Sequence, residues 1–61
     1  METMVKVELD AGHARALALF LKRVEWSEIR GNAQDDQEAY DMRDGIEAMA
    51  RALAEAGYAP R

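Results

Sequence analysis

The chain contains no cysteine and only one proline (Pro60), one histidine (His13) and one serine (Ser27). Each scarcity removes a class of function. Without Cys there is no disulfide staple, thiolate nucleophile or sulfur ligand, and the composition fits a reducing compartment. His13 and Ser27 stand fourteen residues apart on what reads as one helix. That is about 21 Å along its axis, so they do not form a nucleophile and base within one subunit. No apolar run approaches the roughly 18 residues that span a bilayer. The opening METMVKVELD lacks the basic n-region and apolar h-region of a signal peptide. These absences lead us to expect a soluble, cytoplasmic, non-enzymatic protein with no cofactor and no metal.

What is present is small and acidic. Sixty-one residues allow a single domain, 1–61, and one this short buries only about 60% of the surface its unfolded chain exposes. Hydrophobic residues make up 49% of the chain, but twelve of them are Ala, which limits the core. Small domains without disulfide or metal rely on self-association or very regular helix packing, so a homodimer is expected. The net charge is −4, with twelve acids against eight bases, which favours a basic protein partner over direct contact with nucleic acid.

The strongest local pattern runs from Asp35 to Pro60. Ala39, Met42, Ile46, Met49, Leu53 and Ala56 recur at spacings of three and four, one narrow apolar seam on a helix over 35–57. Asp35 with Glu38 three residues later predicts a capping-box-like start, with Asn32 as an earlier alternative. Gly57 at C′, Tyr58 at C″ and Leu53 at C3 predict a Schellman closure, and Pro60 forbids continuation. Glu47 and Arg51 are spaced for an i,i+4 ion pair. Gly45, costly in a helix interior, suits a close approach by a bulky residue of the first helix or of another chain.

Upstream, Asp10 predicts an N-cap for a first helix over 11–30, with Leu17, Phe20, Leu21 and Val24 on its main face and Ala14 extending it. Leu19, Trp26 and Ile29 sit elsewhere on that cylinder, which points to a second contact. Gly31 and Asn32 suit its C-terminus, closed by a left-handed residue. Residues 1–9 read as a strand or arm: Val5, Val7 and Leu9 alternate with Met4, Lys6 and Glu8. The chain offers no second strand, so the natural partner is the same strand of another copy. The expected fold is mainly α: an antiparallel two-helix hairpin preceded by a short N-terminal strand or arm, dimeric through the strand, the second apolar group, or both.

Two groups of residues carry a functional reading. Asp35, Asp36, Glu38, Asp41, Asp44 and Glu47, with only Arg43 against them, lack the alternating register and sixth-position Gly of a calcium loop. They read either as a solvated helix face or as a docking surface for an Arg- and Lys-rich groove on another protein. Trp26 and Tyr40 would meet at the loop end of the hairpin. Core packing is the simpler role for them; exposed together they form a binding hot spot. Arg15, Lys22, Arg23 and Arg30 bias the first helix towards positive charge, but Glu25 and Glu28 interleave with them and weaken any phosphate-binding reading.

From Phe20 onward the pieces FLKRVEWSEIR, DDQEAYDMRD and ALAEAGYAPR resemble a group of short proteins carried on proteobacterial prophages, plasmids and integrative elements. That resemblance brings no activity to transfer. It implies a setting in which small acidic proteins inhibit host machinery, anti-CRISPR proteins among them. By topology alone, strand then helix then helix also resembles the ribbon-helix-helix DNA-binding regulators and antitoxins. That alternative would place Met4, Lys6 and Glu8 against DNA.

Overall fold

Leu53, Gly57 and Tyr58 close the longest helix as the sequence predicts. In the computed structural model, which describes residues 1–59, the Tyr58 N–H donates to the Leu53 carbonyl at 2.9 Å and the Gly57 N–H to Ala54 at 3.0 Å. These are the two bonds of a Schellman motif. Gly57 takes φ 99°, the only positive φ among the described residues. Pro60 lies outside the described residues, so its role as a stop is not part of this geometry.

Three helices form: α1 (Ala11–Arg23), α2 (Trp26–Asn32) and α3 (Asp36–Glu55). α1 and α2 each pack against α3. The expected two-helix hairpin is therefore corrected, because the first long helix is broken in two. Val24 and Glu25 are both extended, with ψ 131° and 161°. The Glu25 N–H donates to Glu28 Oε1 at 3.1 Å, which gives α2 its own N-terminal cap. The break turns α2 onto α3, and Ile29 is buried as a result.

That break also reassigns the second apolar group. On a continuous cylinder Leu19, Trp26 and Ile29 called for a second neighbour. In the folded chain Ile29 is buried, Trp26 stacks on Tyr40 of α3, and Leu19 shares a surface hollow with Tyr58. The group is distributed among neighbours within the chain.

Several end signals resolve differently from their sequence reading. Asp10 does occupy the N-cap of α1, and its carbonyl accepts from Ala14 N–H at 2.9 Å, but its side chain caps nothing. Gly31 is helical rather than left-handed, and α2 ends through extended Ala33. Asn32 is no cap for α3; its side-chain amide donates back to the Glu28 carbonyl of α2 at 2.8 Å. Asp35 caps α3, accepting from Glu38 N–H at 2.8 Å. The Glu38 carboxylate reaches back one residue further than a capping box requires, to Gln34 N–H at 3.1 Å.

The buried set is Ala14, Ala18, Ile29, Ala39 and Leu53. Ala14, Ala18 and Leu53 form the centre, flanked by Leu17, Leu21 and Tyr58. The α3 seam is thus half buried: Ala39 and Leu53 lie inside, Met42 and Ile46 are intermediate, and Met49 and Ala56 are exposed. The molecule spans 33 × 27 × 16 Å, and so flat a body covers α3 on one side only. Residues 1–10 form neither helix nor strand ladder, so the N-terminal segment is an arm rather than a paired strand in the single chain.

Candidate protein-binding surface

The α2–α3 corner gathers the aromatic and acidic residues that the sequence singles out. Trp26 is the first residue of α2 and Tyr40 lies in the second turn of α3. Their ring centroids stand 5.1 Å apart with planes tilted by 35°, within the range of favourable aromatic pairs. The Arg43 guanidinium lies 5.1 Å from the Tyr40 ring centre, a cation–π contact one turn further along α3. Tyr40 thus touches both Trp26 and Arg43. Trp26 retains 42% of its surface and Tyr40 46%, so neither ring is consumed by the core.

What holds the corner is the α2–α3 connection. Arg30 Nε donates to Asp36 Oδ1 at 2.7 Å and Arg30 Nη1 to the Ala33 carbonyl at 3.1 Å. Arg30 is thereby removed from the basic set read along the first helix. It bridges the end of α2 to the first turn of α3, where Asp36 also favours the helix dipole.

The six acids each have a local partner. Asp35 and Glu38 bind backbone N–H groups, and Asp36 pairs with Arg30. Asp41 accepts from Gln37 Nε2 at 3.1 Å. Asp44 and Glu47 lie 3.4 Å and 4.0 Å from Arg43, so Glu47 turns to Arg43 rather than to the expected Arg51. At 100° per residue, Tyr40, Asp44 and Glu47 share one face of α3, while Asp41 falls on the edge that also carries Gly45 and Ala48. The acids therefore divide into a capping group, Asp35 and Glu38, and outward carboxylates around the Trp26–Tyr40 stack.

Two apolar grooves complete the surface. One, of about 530 Å³, lies between the end of α1 and the middle of α3, with Phe20, Leu21, Val24, Met42 and Ile46 in its walls. Its side-chain polar groups are limited to Glu28 and Asn32, too few to converge on a reacting atom. The other, of about 490 Å³, runs between Val5, Val7 and Leu9 of the arm and Ala48, Ala52 and Ala56 of α3. Gly45 and Met49 line both. A Cβ at Gly45 would meet nothing within 4 Å, so this glycine admits no residue of the first helix, contrary to that part of the expectation.

Among the described residues no group of three His, Cys, Asp or Glu side chains is arranged to hold a metal. Among the same residues no helix is long and apolar enough to cross a membrane. His13 Nδ1 lies 3.9 Å from Asp10 at the exposed start of α1, on a different helix from Ser27.

Fold and surface together define the class: a small three-helix protein with an exposed aromatic corner, an acidic rim and a thin core. The chain belongs to DUF7706, a family of unknown function, whose pattern it matches over residues 1–61. No curated protein and no solved structure matches it.

Proposed function

We propose that this chain is a non-enzymatic binding protein that works as a homodimer and docks a basic surface of another protein through its α2–α3 corner. The observation that carries the reading is the Trp26–Tyr40 pair, held in contact yet half exposed. Large aromatics with a polar rim are the residues that dominate interface energy when a partner desolvates them. Asp44 and Glu47 on the same face of α3, with Asp36 and Asp41 beside it, supply a negative rim. The net charge of −4 steers a basic partner towards it. Taken with the resemblance to mobile-element proteins, the partner is a host protein whose basic groove ordinarily serves nucleic acid, and occupation of that groove is inhibition.

The test is capture from host lysate by the tagged chain, followed by measurement of affinity for the captured protein. Trp26→Ala is expected to weaken binding about tenfold or more. The pair Asp41→Lys/Asp44→Lys is expected to abolish it, with helicity by circular dichroism unchanged in both variants. Capture that survives both variants refutes the reading.

A ribbon-helix-helix DNA regulator is the second reading, favoured by the unpaired arm ahead of the helices, in which Val5, Val7 and Leu9 share one groove. It requires that neutralising Lys6, Arg15 and Arg23 weaken binding to DNA from the chain's own upstream region and flatten its salt dependence. Absence of any gel retardation at low salt removes it.

A further inference from the structure

The arm is the least satisfied part of the molecule. Its backbone N–H and C=O groups over residues 1–9 make no hydrogen bond to another described residue. Its apolar side chains Val5, Val7 and Leu9 turn towards α3 and are still 72%, 59% and 41% exposed. With alternate residues Val5, Val7 and Leu9 on one groove and its backbone unpaired, the segment is placed to act as an open strand edge. The accessible surface of the chain is 5222 Å², against about 3,950 Å² for a folded monomer of this mass, an excess of about 1,300 Å². One partner in a standard protein interface loses about 800 Å². The excess is therefore large enough for a stable dimer.

We infer that the arm pairs with the arm of a second copy as an antiparallel two-stranded ribbon centred on Val7, roofing the exposed face of α3. This rests on the homodimeric part of the reading above and specifies its surface. The sequence of the arm selects the register. Residues directly opposite in an antiparallel pair share a face, so only registers that match Val5, Val7 and Leu9 with one another keep the apolar side intact. With Val7 on the twofold axis, Val5 faces Leu9 of the second copy. On the other side Lys6 faces Glu8, twice. Sliding by one step of the pleat in either direction sets Lys6 against Lys6 or Glu8 against Glu8. The centred register alone is self-complementary in both apolar contact and charge.

The floor fits such a roof. A second strand lies about 4.8 Å from the first, which carries the apolar side of the ribbon across the open groove. There Gly45, Ala48 and Ala52 are small enough to admit side chains from above, and the space over Gly45 is free. The occupant is a second copy rather than an unrelated peptide, because the Lys6 and Glu8 pattern complements itself.

The test uses the full chain, whose lack of cysteine gives a clean background. Sedimentation equilibrium of the unmodified protein is expected to show a dimer. Lys6→Glu and Glu8→Lys alone are each expected to weaken it about tenfold or more, since each sets two like-charge pairs opposite. The double variant K6E/E8K is expected to restore it. In cross-linking, a mixture of Lys6→Cys and Glu8→Cys chains is expected to form a disulfide dimer. Either chain alone is not, because like positions then lie diagonally about 7–8 Å apart, beyond disulfide reach. Circular dichroism serves as the folding control, as both residues are exposed. A chain that stays monomeric at all concentrations overturns this inference and the homodimer together. A dimer indifferent to both charge reversals, with no cross-link in the mixture, overturns the ribbon alone.

Discussion

Leu53 sits against Ala14, Ala18, Leu17, Leu21 and Tyr58, and little else of its size is buried. Burying such a side chain contributes about 1.5–3 kcal/mol, a large share of the stability available to so short a chain. Leu53→Ala is therefore expected to cost about 2–4 kcal/mol and to leave the protein largely unfolded at 25 °C, read by circular dichroism against urea. Met49, 38% exposed on the same helix, serves as the contrast: Met49→Ala should change the stability of the isolated chain by under about 1 kcal/mol. The sequence pattern places both residues on one seam. Period alone does not say how much of a seam the rest of the chain can cover: Ala39 and Leu53 are buried at either end, and Met49 between them is left exposed.

Among the elements, α3 was legible in the sequence from cap to closure because its signals are local: Asp35, the seam, Leu53, Gly57 and Tyr58 lie within one stretch and agree. The α1–α2 break was not. Its signal is a Glu25-x-x-Glu28 cap, with an acid where Ser or Thr is usual, set inside an apolar pattern that continues on both sides. The gain that selects the break is tertiary, the burial of Ile29 and the contact of Trp26 with Tyr40, and neither is visible from spacing. The corner shows the same distinction: the sequence reading brought Trp26 and Tyr40 together through a two-helix hairpin that does not form, whereas the rings meet because α2 begins at Trp26 and turns onto α3. Arg30 holds α2 in this position through Asp36 and Ala33. Because the pair is largely solvent-exposed, Arg30→Ala is expected to cost only about 0.5–1 kcal/mol, measured as a lower denaturation midpoint. The loss should shrink in high salt.

At the scale of the whole molecule, the core is thin against the surface that it supports. Among the described residues five are buried, three of them Ala, and the arm and the α3 face remain open. Self-association should then appear in stability. The melting temperature is expected to rise with protein concentration, as it does when only the folded state associates. A melting temperature constant over a hundredfold dilution range would mean that the single chain is the folding unit. The two proposed surfaces occupy different faces of α3 and adjoin at Asp41: the arm and the Gly45 to Ala56 stripe serve the second copy, while the Trp26–Tyr40 corner stays free for a different protein. Pairing Lys6 with Glu8 across the ribbon would also cancel the one positive charge on the outward side of the arm, which leaves the DNA-regulator reading little with which to hold phosphate.

Trp26 is the only tryptophan in the chain, and it stands against Tyr40 where α2 meets α3. The protein therefore carries its own optical probe at the point where partner docking is proposed. Excitation at wavelengths that bypass tyrosine reads this one indole, and its partial exposure leaves its emission free to shift to shorter wavelengths when a partner excludes water. Undocking of α2 would move it the other way. Partner binding and local opening of the corner are thus distinguishable by the sign of one spectral shift, without labelling the protein.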